Sequence, residues 1–310
     1  MAYSPNELRW LGAAKETAWA TANIVPSYYI PFKDCKPTDE ITTVNDDGIR
    51  GTLAGDVFNI MQTSNSSSMD LSGQVFPDSI GLLLMAMFGA DTVAGSTTKT
   101  HTFKSVTTTQ PPSLTFNSFD GFNMRQWVGH VAEELTFKWA EKAALEYSFK
   151  SQGKQSAVAT TTTPSLSTTI PLLNWAFSLS LGGSSDLNLS SFELDLKRKL
   201  TTTFAANNSQ APNSIVAGAL SATGKMTFYK ADDTELAFAL SSAAKVISLV
   251  GTQATTNYGI TFTITSAVLS KPVVSGKDLV EVDVDFTGVF NSTDGGVASI
   301  VLTNAVAASY

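Results

Sequence analysis

Apolar and polar residues alternate along most of this chain, and the alternation is clearest near its carboxyl end. Apolar residues at positions 280, 282, 284 and 286 are separated by Glu281, Asp283 and Asp285. Successive side chains of a strand point to opposite faces, so this segment predicts a strand with one apolar face and one row of carboxylates. Two interpretations stay open: a solvated outer face of a sandwich, or an acidic wall lining a channel.

Other segments show the same period of two. The segment 192–204 places Glu193 and Asp195 between apolar positions, 143–150 carries Glu146, and Glu133 interrupts the apolar face of 131–139. Further strands are predicted at 69–75, 113–117, 175–181, 220–229, 235–240, 245–250 and 258–265. Many short strands separated by Gly, Asp and Asn turns are typical of an all-β sandwich or barrel.

Only one segment has a strong helical pattern. Residues 78–88 follow Pro77, contain good helix formers and end at Gly89, which predicts a short helix. Because the segment is apolar on nearly all sides, we expect it to be buried against a sheet. A weaker pattern predicts a second helix within 4–16.

Turn-forming and low-complexity segments divide the chain into four parts. Residues 1–45, which include Pro26, Pro31 and Pro37, are predicted to form an amino-terminal arm. A first β domain covers 46–159 and includes a long loop, 46–68, that is rich in Gly, Ser, Asn and Asp. A polar linker at 160–171 begins with four threonines, and a second β domain with a carboxyl-terminal tail covers 172–310.

The two β domains also resemble each other. The segment around Gly73 is similar to the segment around Gly224, which lies 151 positions later. Phe116 lies in a segment like that around Phe262, which lies 146 positions later. Two near-equal spacings favour a tandem duplication.

Composition narrows the functional classes. Hydrophobic residues make up 43% and charged residues only 15% of the 310 residues, so we expect other subunits to cover much of the surface. The net charge of −7 argues against a partner gripped by its phosphates, because such sites are basic. The single cysteine, Cys35, excludes an intrachain disulfide, and neither a secretory signal nor an apolar stretch of membrane-spanning length is recognisable.

No constellation of residues predicts catalysis. His101 and His130 lie far in sequence from any second ligand or nucleophile motif, so we expect both to be structural. No metal-binding Cys/His spacing, phosphate-binding loop or nucleophile elbow occurs. Glu133 and Glu134 are adjacent in a predicted strand and are expected to face opposite sides, which defeats an acid–base role. The sequence predicts a protein that is not an enzyme and has no cofactor and no metal.

Three stretches stand out in order along the chain. The first contains Gly12, Lys15-Glu16-Thr17, Trp19 and Thr21, followed by Tyr29-Ile30-Pro31. The second is the predicted helix followed by His101-Thr102-Phe103 and Pro112-Ser113-Leu114-Thr115. The third runs from Gly276 through Phe286 to Leu302-Thr303-Asn304-Ala305. Together they resemble the tail tube (major tail) proteins of long-tailed, non-contractile bacteriophages, and the resemblance extends over most of the chain.

This resemblance implies β-sandwich subunits with a short flanking helix. Long hairpins of neighbouring subunits would join into a closed β-barrel lumen, and stacked rings would form a conduit for genome delivery. Closure removes the exposed sheet edges that favour aggregation. Carboxylates lining such a lumen would repel passing DNA, which is the reverse of phosphate binding.

The resemblance also gives the acidic strands a role. The candidates for lumen-lining residues are Glu281, Asp283, Asp285, Glu193, Asp195, Glu133 and Glu146. Four lysines on comparable strands fit ion pairs between subunits or outer solvent better than a uniformly negative wall: Lys138, Lys150, Lys197 and Lys199. The candidates for contacts between rings are Trp10, Trp19, Tyr28, Tyr29 and Tyr310.

The implied partners are other copies of the chain, the tail terminator, tape measure and distal tail proteins, and DNA that passes without specific binding. A duplicated chain favours a trimeric ring with pseudo-six-fold symmetry over a hexamer. The implied location is the virion, after assembly in the cytoplasm of the host bacterium. Two alternatives stay open: a carbohydrate-binding or adhesin sandwich, although Trp139 and Trp175 are expected in the core, and another virion component such as a tail terminator or a head protein.

Overall fold

The structure is a computed structural model that describes residues 5–23, 25–51, 55, 57–241, 243–276 and 278–310. Within these residues, antiparallel strands and two short helices form one connected network, which confirms the predicted all-β fold with a short flanking helix. The first half contains β1 (Trp10–Lys15), β2 (Tyr28–Tyr29), β3 (Asp34–Asp46), β4 (Asn59–Gln74), α1 (Gly81–Phe88), β5 (Gly89–Ala94), β6 (Lys99–Ser105), β7 (Leu114–Phe119), β8 (Met124–Ala140), β9 (Glu146–Gly153) and β10 (Ala157–Ala159). The second half contains β11 (Phe177–Leu181), β12 (Ser184–Asp186), β13 (Leu189–Thr203), β14 (Ser214–Tyr229), α2 (Thr234–Leu240), β15 (Lys245–Thr252), β16 (Gly259–Ser275), β17 (Glu281–Gly288) and β18 (Ser299–Asn304).

Eight strands form a surface that we call the long sheet. Their order is β3–β4–β9–β8–β13–β14–β17–β16, and every neighbouring pair is antiparallel. One face of the long sheet is apolar, and its side chains join those of α1, β6, β7 and β18 in one hydrophobic core. Phe137 of β8 packs against Phe262 of β16 across this core, with ring centroids 4.9 Å apart. The rest of the chain therefore covers the apolar face and leaves the other face open.

The two halves share one pattern of strand pairing. In the first half the order is β1–β7–β8–β9–β4–β3, and in the second it is β11–β15–β16–β17–β14–β13. A helix follows β4 and β14, and a further strand pairs with the start of β8 and of β16. The bounds of β4 and β14 differ by 155 positions, rather than the 151 read from the glycines.

The halves are also joined to each other through the long sheet. Residues 191–197 of β13 pair with residues 134–140 of β8, so the strand from the second half extends the sheet of the first. A second connection pairs β18 with β6. The predicted linker at 160–171 has no regular secondary structure. The two halves are therefore joined by strand pairing as well as by this linker.

Helix α1 forms where the pattern of residues predicted it. All of its residues except Met85 are buried, as expected for a segment that is apolar on all sides. Gly89 ends it with φ of 91°, a left-handed conformation that a helix terminus favours and that glycine adopts without strain.

Several local expectations are wrong. Residues 10–15 form β1 rather than part of a helix within 4–16, because they pair along their whole length with β7. The segment 235–240 lies in helix α2, not in a strand, and Asp232 accepts a hydrogen bond from the amide of Thr234 (2.8 Å) at its start. The periodicity of such a short apolar run does not distinguish a helix from a strand.

The predicted arm, long loop and tail are also more ordered than expected. β1 and β3 place much of 1–45 in sheets, and residues 59–68 of the expected loop belong to β4. The Ser/Asn run at 64–68 pairs with β3 through its backbone, which does not depend on side-chain polarity. The tail after Asn291 contributes β18, and Tyr310 is buried. Trp175, expected in the core, is 68% exposed, whereas Trp139 is buried as expected.

Candidate functional site

The open face of the long sheet carries most of the net negative charge of the chain, and we call it the charged face. Side chains directly opposite each other in an antiparallel ladder share a face, so the pairing registers define its members. Its acidic residues are Asp34, Glu40, Asp70, Glu134, Glu146, Glu193, Asp195, Glu281, Asp283 and Asp285, and its basic residues are Lys36, Lys138, Lys150, Lys197 and Lys225. Two residues at bulges join them through contacts on this face: Glu133 with Gln152, and Lys271 with Asp285. Eleven acids and six bases leave this face with a net charge of −5, out of −7 for the whole chain.

All but one of the lysines of the charged face form ion pairs with carboxylates on neighbouring strands, and Lys36 pairs with Asp34 on its own strand. Lys138 on β8 lies 3.0 Å from Glu193 on β13, and Lys225 on β14 lies 2.9 Å from Asp283 on β17. These pairs lie within one chain, and the second pair leaves Asp283 only 26% exposed. Lysines between neighbouring acidic strands reduce the repulsion between those strands. Ion pairs within the chain therefore explain why Lys138, Lys150 and Lys197 lie among the carboxylates.

Glu134 is the centre of the densest group of charges. Its carboxylate lies 3.1 Å from Lys150 on β9 and 3.0 Å from Lys197 on β13, so it bridges three strands. Partial burial acts to raise the pKa of Glu134, but hydrogen bonds from Lys197 and Lys150 outweigh burial and hold this pKa below its ordinary value. Hydrogen bonding to Glu134 raises the pKa values of both lysines.

The pKa of Asp283 is lowered by the same kind of contact. Desolvation acts to raise its pKa, yet hydrogen bonds from Lys225 and from the hydroxyl of Thr227 (2.7 Å) lower it overall. Asp195 accepts a hydrogen bond of 2.5 Å from Thr136 on the neighbouring strand. Because their pKa values are lowered, Glu134 and Asp283 remain ionised at neutral pH.

The structure brings the predicted acidic residues together. Glu281, Asp283, Asp285, Glu193, Asp195 and Glu146 lie on the charged face. Glu133 stands at a bulge of β8, where it accepts a hydrogen bond from Gln152 (3.0 Å). Because of this bulge, Glu133 and Glu134 both contact side chains of β9 on the charged face instead of facing opposite sides. Glu134 was not among the predicted lumen-lining residues, and it was expected to face away from Glu133, since a bulge leaves no clear signal in periodicity.

The amino-terminal stretch around Glu16 has a structural role. Its carboxylate is buried and accepts four hydrogen bonds: from Ser113 (2.5 Å), Thr115 (2.8 Å) and the amides of Ala20 and Gly129 (2.8 Å each). Trp19 donates to the Gly129 carbonyl (3.2 Å) and stacks beneath the ammonium of Lys154 at 4.6 Å. These contacts fasten the segment after β1 to β7 and β8.

The aromatic residues considered for ring contacts fall into two groups. Trp10 is 7% exposed and stacks on Phe119, and Tyr310 is 2% exposed, with its hydroxyl hydrogen-bonded to Asn304 (2.7 Å). Both pack inside the chain, so neither is accessible for contact with another copy. Trp19, Tyr28 and Tyr29 are partly exposed and keep an accessible edge.

Both histidines are buried and fully engaged. The two ring nitrogens of His101 lie 3.0 Å from Asp91 and from the carbonyl of Val306. Those of His130 lie 3.0 Å from the hydroxyls of Ser67 and Ser151. Burial lowers the pKa of His130 to about 3, against a small opposing effect of the charge on Asp39.

The buried His130 predicts a loss of stability in acid. The unfolded chain binds a proton at this residue below about pH 6.5, whereas the folded chain does so only near pH 3. The free energy of unfolding should therefore fall as pH decreases across this window, by up to about 1.4 kcal/mol per pH unit from this residue. His130→Gln should reduce the slope of unfolding free energy against pH, measured by denaturant titration at several pH values. Equal slopes for both proteins would contradict this assignment.

A cavity of about 650 Å³ lies beside Arg198, and the described residues that line it include no His, Cys or carboxylate. Arg198 donates to the carbonyls of Met87 (2.8 Å) and Gly218 (2.7 Å), which ties α1 to the long sheet. Among the described residues, no cluster of His, Cys, Asp or Glu is placed to hold a metal ion. In the same ranges, no helix has the length and apolarity needed to cross a membrane.

Comparison with known proteins agrees with this structural reading. A scan against models of protein families matches residues 10–288 to the family described as "Phage tail tube protein". A search of curated proteins gives no match. The family match covers most of the chain, including every strand of the long sheet. The chain therefore belongs to the phage tail tube protein family.

Proposed function

We propose that this chain is the repeating subunit of a phage tail tube, in which copies join their long sheets into a closed barrel and the rings stack into a conduit for DNA. The observation that carries the proposal is the long sheet itself. Among the described residues, its outermost strands, β3 and the carboxyl-terminal part of β16, each pair on one side only. Two free edges on one sheet favour pairing between copies.

The dimensions of such a barrel suit a DNA conduit. Three copies would supply three times eight, or 24, strands. With strands about 4.8 Å apart and tilted by roughly 40°, the barrel would be about 48 Å in diameter between backbones. A duplex fits within this diameter after the side chains are allowed for.

The charged face would line the lumen. The opposite face of the long sheet is covered by α1 and the remaining strands, and this bulk fits only outside the barrel. With a net charge of −5 per copy, the wall would repel phosphates and let DNA slide without binding. The proposed lumen-lining carboxylates are Glu281, Asp285, Glu193, Glu146, Asp283, Asp195, Glu133 and Glu134. Of these, Asp283 and Asp195 accept hydrogen bonds from the hydroxyls of Thr227 and Thr136.

The symmetry we propose is a trimer with pseudo-six-fold character. The shared strand order of the two halves supports a tandem duplication, and each half contributes four strands to the long sheet. Six equivalent units then come from three chains. A hexamer of this chain would contain twice as many strands and a much wider lumen.

Contacts between rings would involve the exposed end of the β3–β4 hairpin. Apolar side chains there are accessible to solvent: Ile41, Val44, Ile49, Val57, Phe58, Ile60 and Met61. Such an apolar patch typically marks a surface that another protein covers. Trp19, Tyr28 and Tyr29 are further candidates. Tail terminator, tape measure and distal tail proteins would meet the ends and interior of the tube in the virion, assembled in the host cytoplasm.

Electron microscopy of the purified protein tests this function. We expect hollow tubes with regularly stacked rings at high protein concentration, because the two free sheet edges and the apolar hairpin end promote association. Negative staining over a range of protein and salt concentrations is sufficient to see them. A protein that stays monomeric under all these conditions would contradict a tube-forming role.

A further inference from the structure

We propose that β16 of one copy pairs with β3 of the next copy in the antiparallel register that already joins β8 to β13 within a single chain. This inference rests on the proposed function and adds the strands, register and side chains of the joint. The partner at each free edge of the long sheet is a second copy of the same chain.

The joint between the halves supplies the template. β8 and β13 pair from Glu134–Lys197 at one end to Ala140–Ser191 at the other. On the charged face this joint contains the Glu134–Lys197 ion pair (3.0 Å) and the Thr136–Asp195 hydrogen bond (2.5 Å). A sheet thus continues from one half to the next through strand pairing and complementary side chains.

Equivalent strands in the two halves follow from the pairing registers. β4 corresponds to β14 with a shift of 155 positions, and β9 corresponds to β17 with a shift of 135. Since paired strands must shift together, the registers relate β3 to β13 by 157 positions and β8 to β16 by 137, except between the bulges of β8 and β16, where Glu134 corresponds to Ser270. The bulge after Thr42 in β3 then coincides with the bulge after Arg198 in β13, which supports these shifts.

The same shifts place the free edges opposite each other. β13 uses one side for β14 and the other for β8, whereas its counterpart β3 pairs only with β4 within the described residues. β8 pairs with β9 and β13 through its carboxyl-terminal part, whereas the matching part of β16 pairs only with β17 in those residues. The β8–β13 joint therefore has one unfilled counterpart at each end of the long sheet.

Both free edges have features expected of strands that pair with another copy of the chain. Val273 and Val274 of β16 are 54% and 50% exposed, which is unusual for residues in a regular sheet of this length. Pro37 in β3 and Pro272 in β16 limit pairing with foreign strands, because each lacks a backbone donor. A partner with a defined register can accommodate these gaps.

The shifts give specific pairs across the joint between copies. Asp195–Thr136 becomes Thr38 opposite Val273, and Lys197–Glu134 becomes Glu40 opposite Ser270, which is followed by Lys271 in the bulge of β16. Because Lys271 directly follows Ser270, the joint between copies would again bring opposite charges near each other, now with the acid on β3 and the base on β16. Glu40 is exposed, and the side chain of Lys271 is 79% exposed. The ammonium of Lys271 lies 3.6 Å from Asp285 of its own chain, and we expect Glu40 of the next copy to share this ammonium.

Engineered cysteines test the register in assembled tubes. In a Cys35→Ala background, Thr38→Cys and Val273→Cys should form disulfides between copies, because opposite residues in such a ladder lie within the range that a disulfide spans. Non-reducing electrophoresis of oxidised tubes should show bands up to three chains and none larger. The control pair is Val44→Cys with Val273→Cys, which lies six residues off register and should not cross-link. Tubes that form but cross-link equally in both variants, or in neither, would overturn the proposed joint while leaving the tube function intact.

A charge exchange provides a second, independent test. Glu40→Lys and Lys271→Glu should each raise the protein concentration needed for tube assembly by about two- to fivefold, and the double variant should recover most of this loss. Additive losses in the double variant would overturn the Glu40–Lys271 pair. A Cys35→Ala parent that is folded and forms no tubes at any concentration would instead overturn the proposed function, and the joint with it.

Discussion

Glu16→Ala is expected to destabilise the folded subunit by roughly 4 kcal/mol, because the substitution leaves several buried donors without an acceptor. The carboxylate accepts hydrogen bonds from two hydroxyls and two amides that belong to three separate segments of the chain. Glu16→Gln keeps one oxygen acceptor and should lose less. Denaturant titration of the unassembled subunit, followed by tryptophan fluorescence, measures these differences.

Glu7→Ala is the matched control for this experiment. Glu7 is exposed in the preceding turn, and its replacement should change the free energy of unfolding by less than about 0.5 kcal/mol. If Glu16→Ala unfolded at the same denaturant concentration as the Glu7→Ala control, the hydrogen bonds to Glu16 would not hold the segment after β1. The structural role assigned to the segment around Glu16 would then be wrong.

The double variant Glu281→Lys and Asp285→Lys is expected to leave tubes intact but to reduce infectious particles per tail by at least about tenfold. The two substitutions change the charged face from −5 to −1 per copy and place cations where DNA is proposed to slide. Phosphates that contact these lysines would release counterions and bind, which slows passage. Asp283 is left in place because its ion pair with Lys225 is short (2.9 Å), whereas the pair between Asp285 and Lys271 is longer (3.6 Å) and more exposed. Infectivity per particle, with particles counted by microscopy, measures the effect.

Two further variants separate lumen charge from total charge. Glu281→Gln with Asp285→Asn changes the charge of the face by +2 and should have a smaller effect in the same direction. Ser96→Lys with Thr97→Lys adds the same +2 in the exposed turn between β5 and β6, outside the long sheet, and should infect normally. Equal infectivity of all these variants would remove the charged face from the proposed lumen.

The periodicity of the sequence predicted five strands of the long sheet and the face on which most of their carboxylates lie: β8, β9, β13, β14 and β17. Glu193 and Asp195, or Glu281 and Asp285, alternate with apolar residues that the core requires, so their side of the sheet is a local property. The burial of α1 followed from its composition in the same way. Both are features that a strand or helix determines within its own length.

What the sequence did not predict depends on partners far along the chain. The Ser/Asn run at 64–68 forms a strand because β3 and β9 pair with its backbone. Its side chains show no alternation of apolar and polar residues from which a strand could be predicted. Glu134 faces the same side as Glu133 because of a bulge that arises between two strands. The tail is ordered because β18 inserts between β16 and β6, and Tyr310 enters the core beside His101.

The most direct test of this account is a cryo-electron microscopy reconstruction of the assembled tube. The account predicts three chains per ring, a continuous inner barrel of 24 strands in which β16 of each copy pairs with β3 of the next, and carboxylates on its inner surface. A reconstruction in which each chain keeps both edges of its long sheet unpaired, and contacts its neighbours through loops alone, would contradict it.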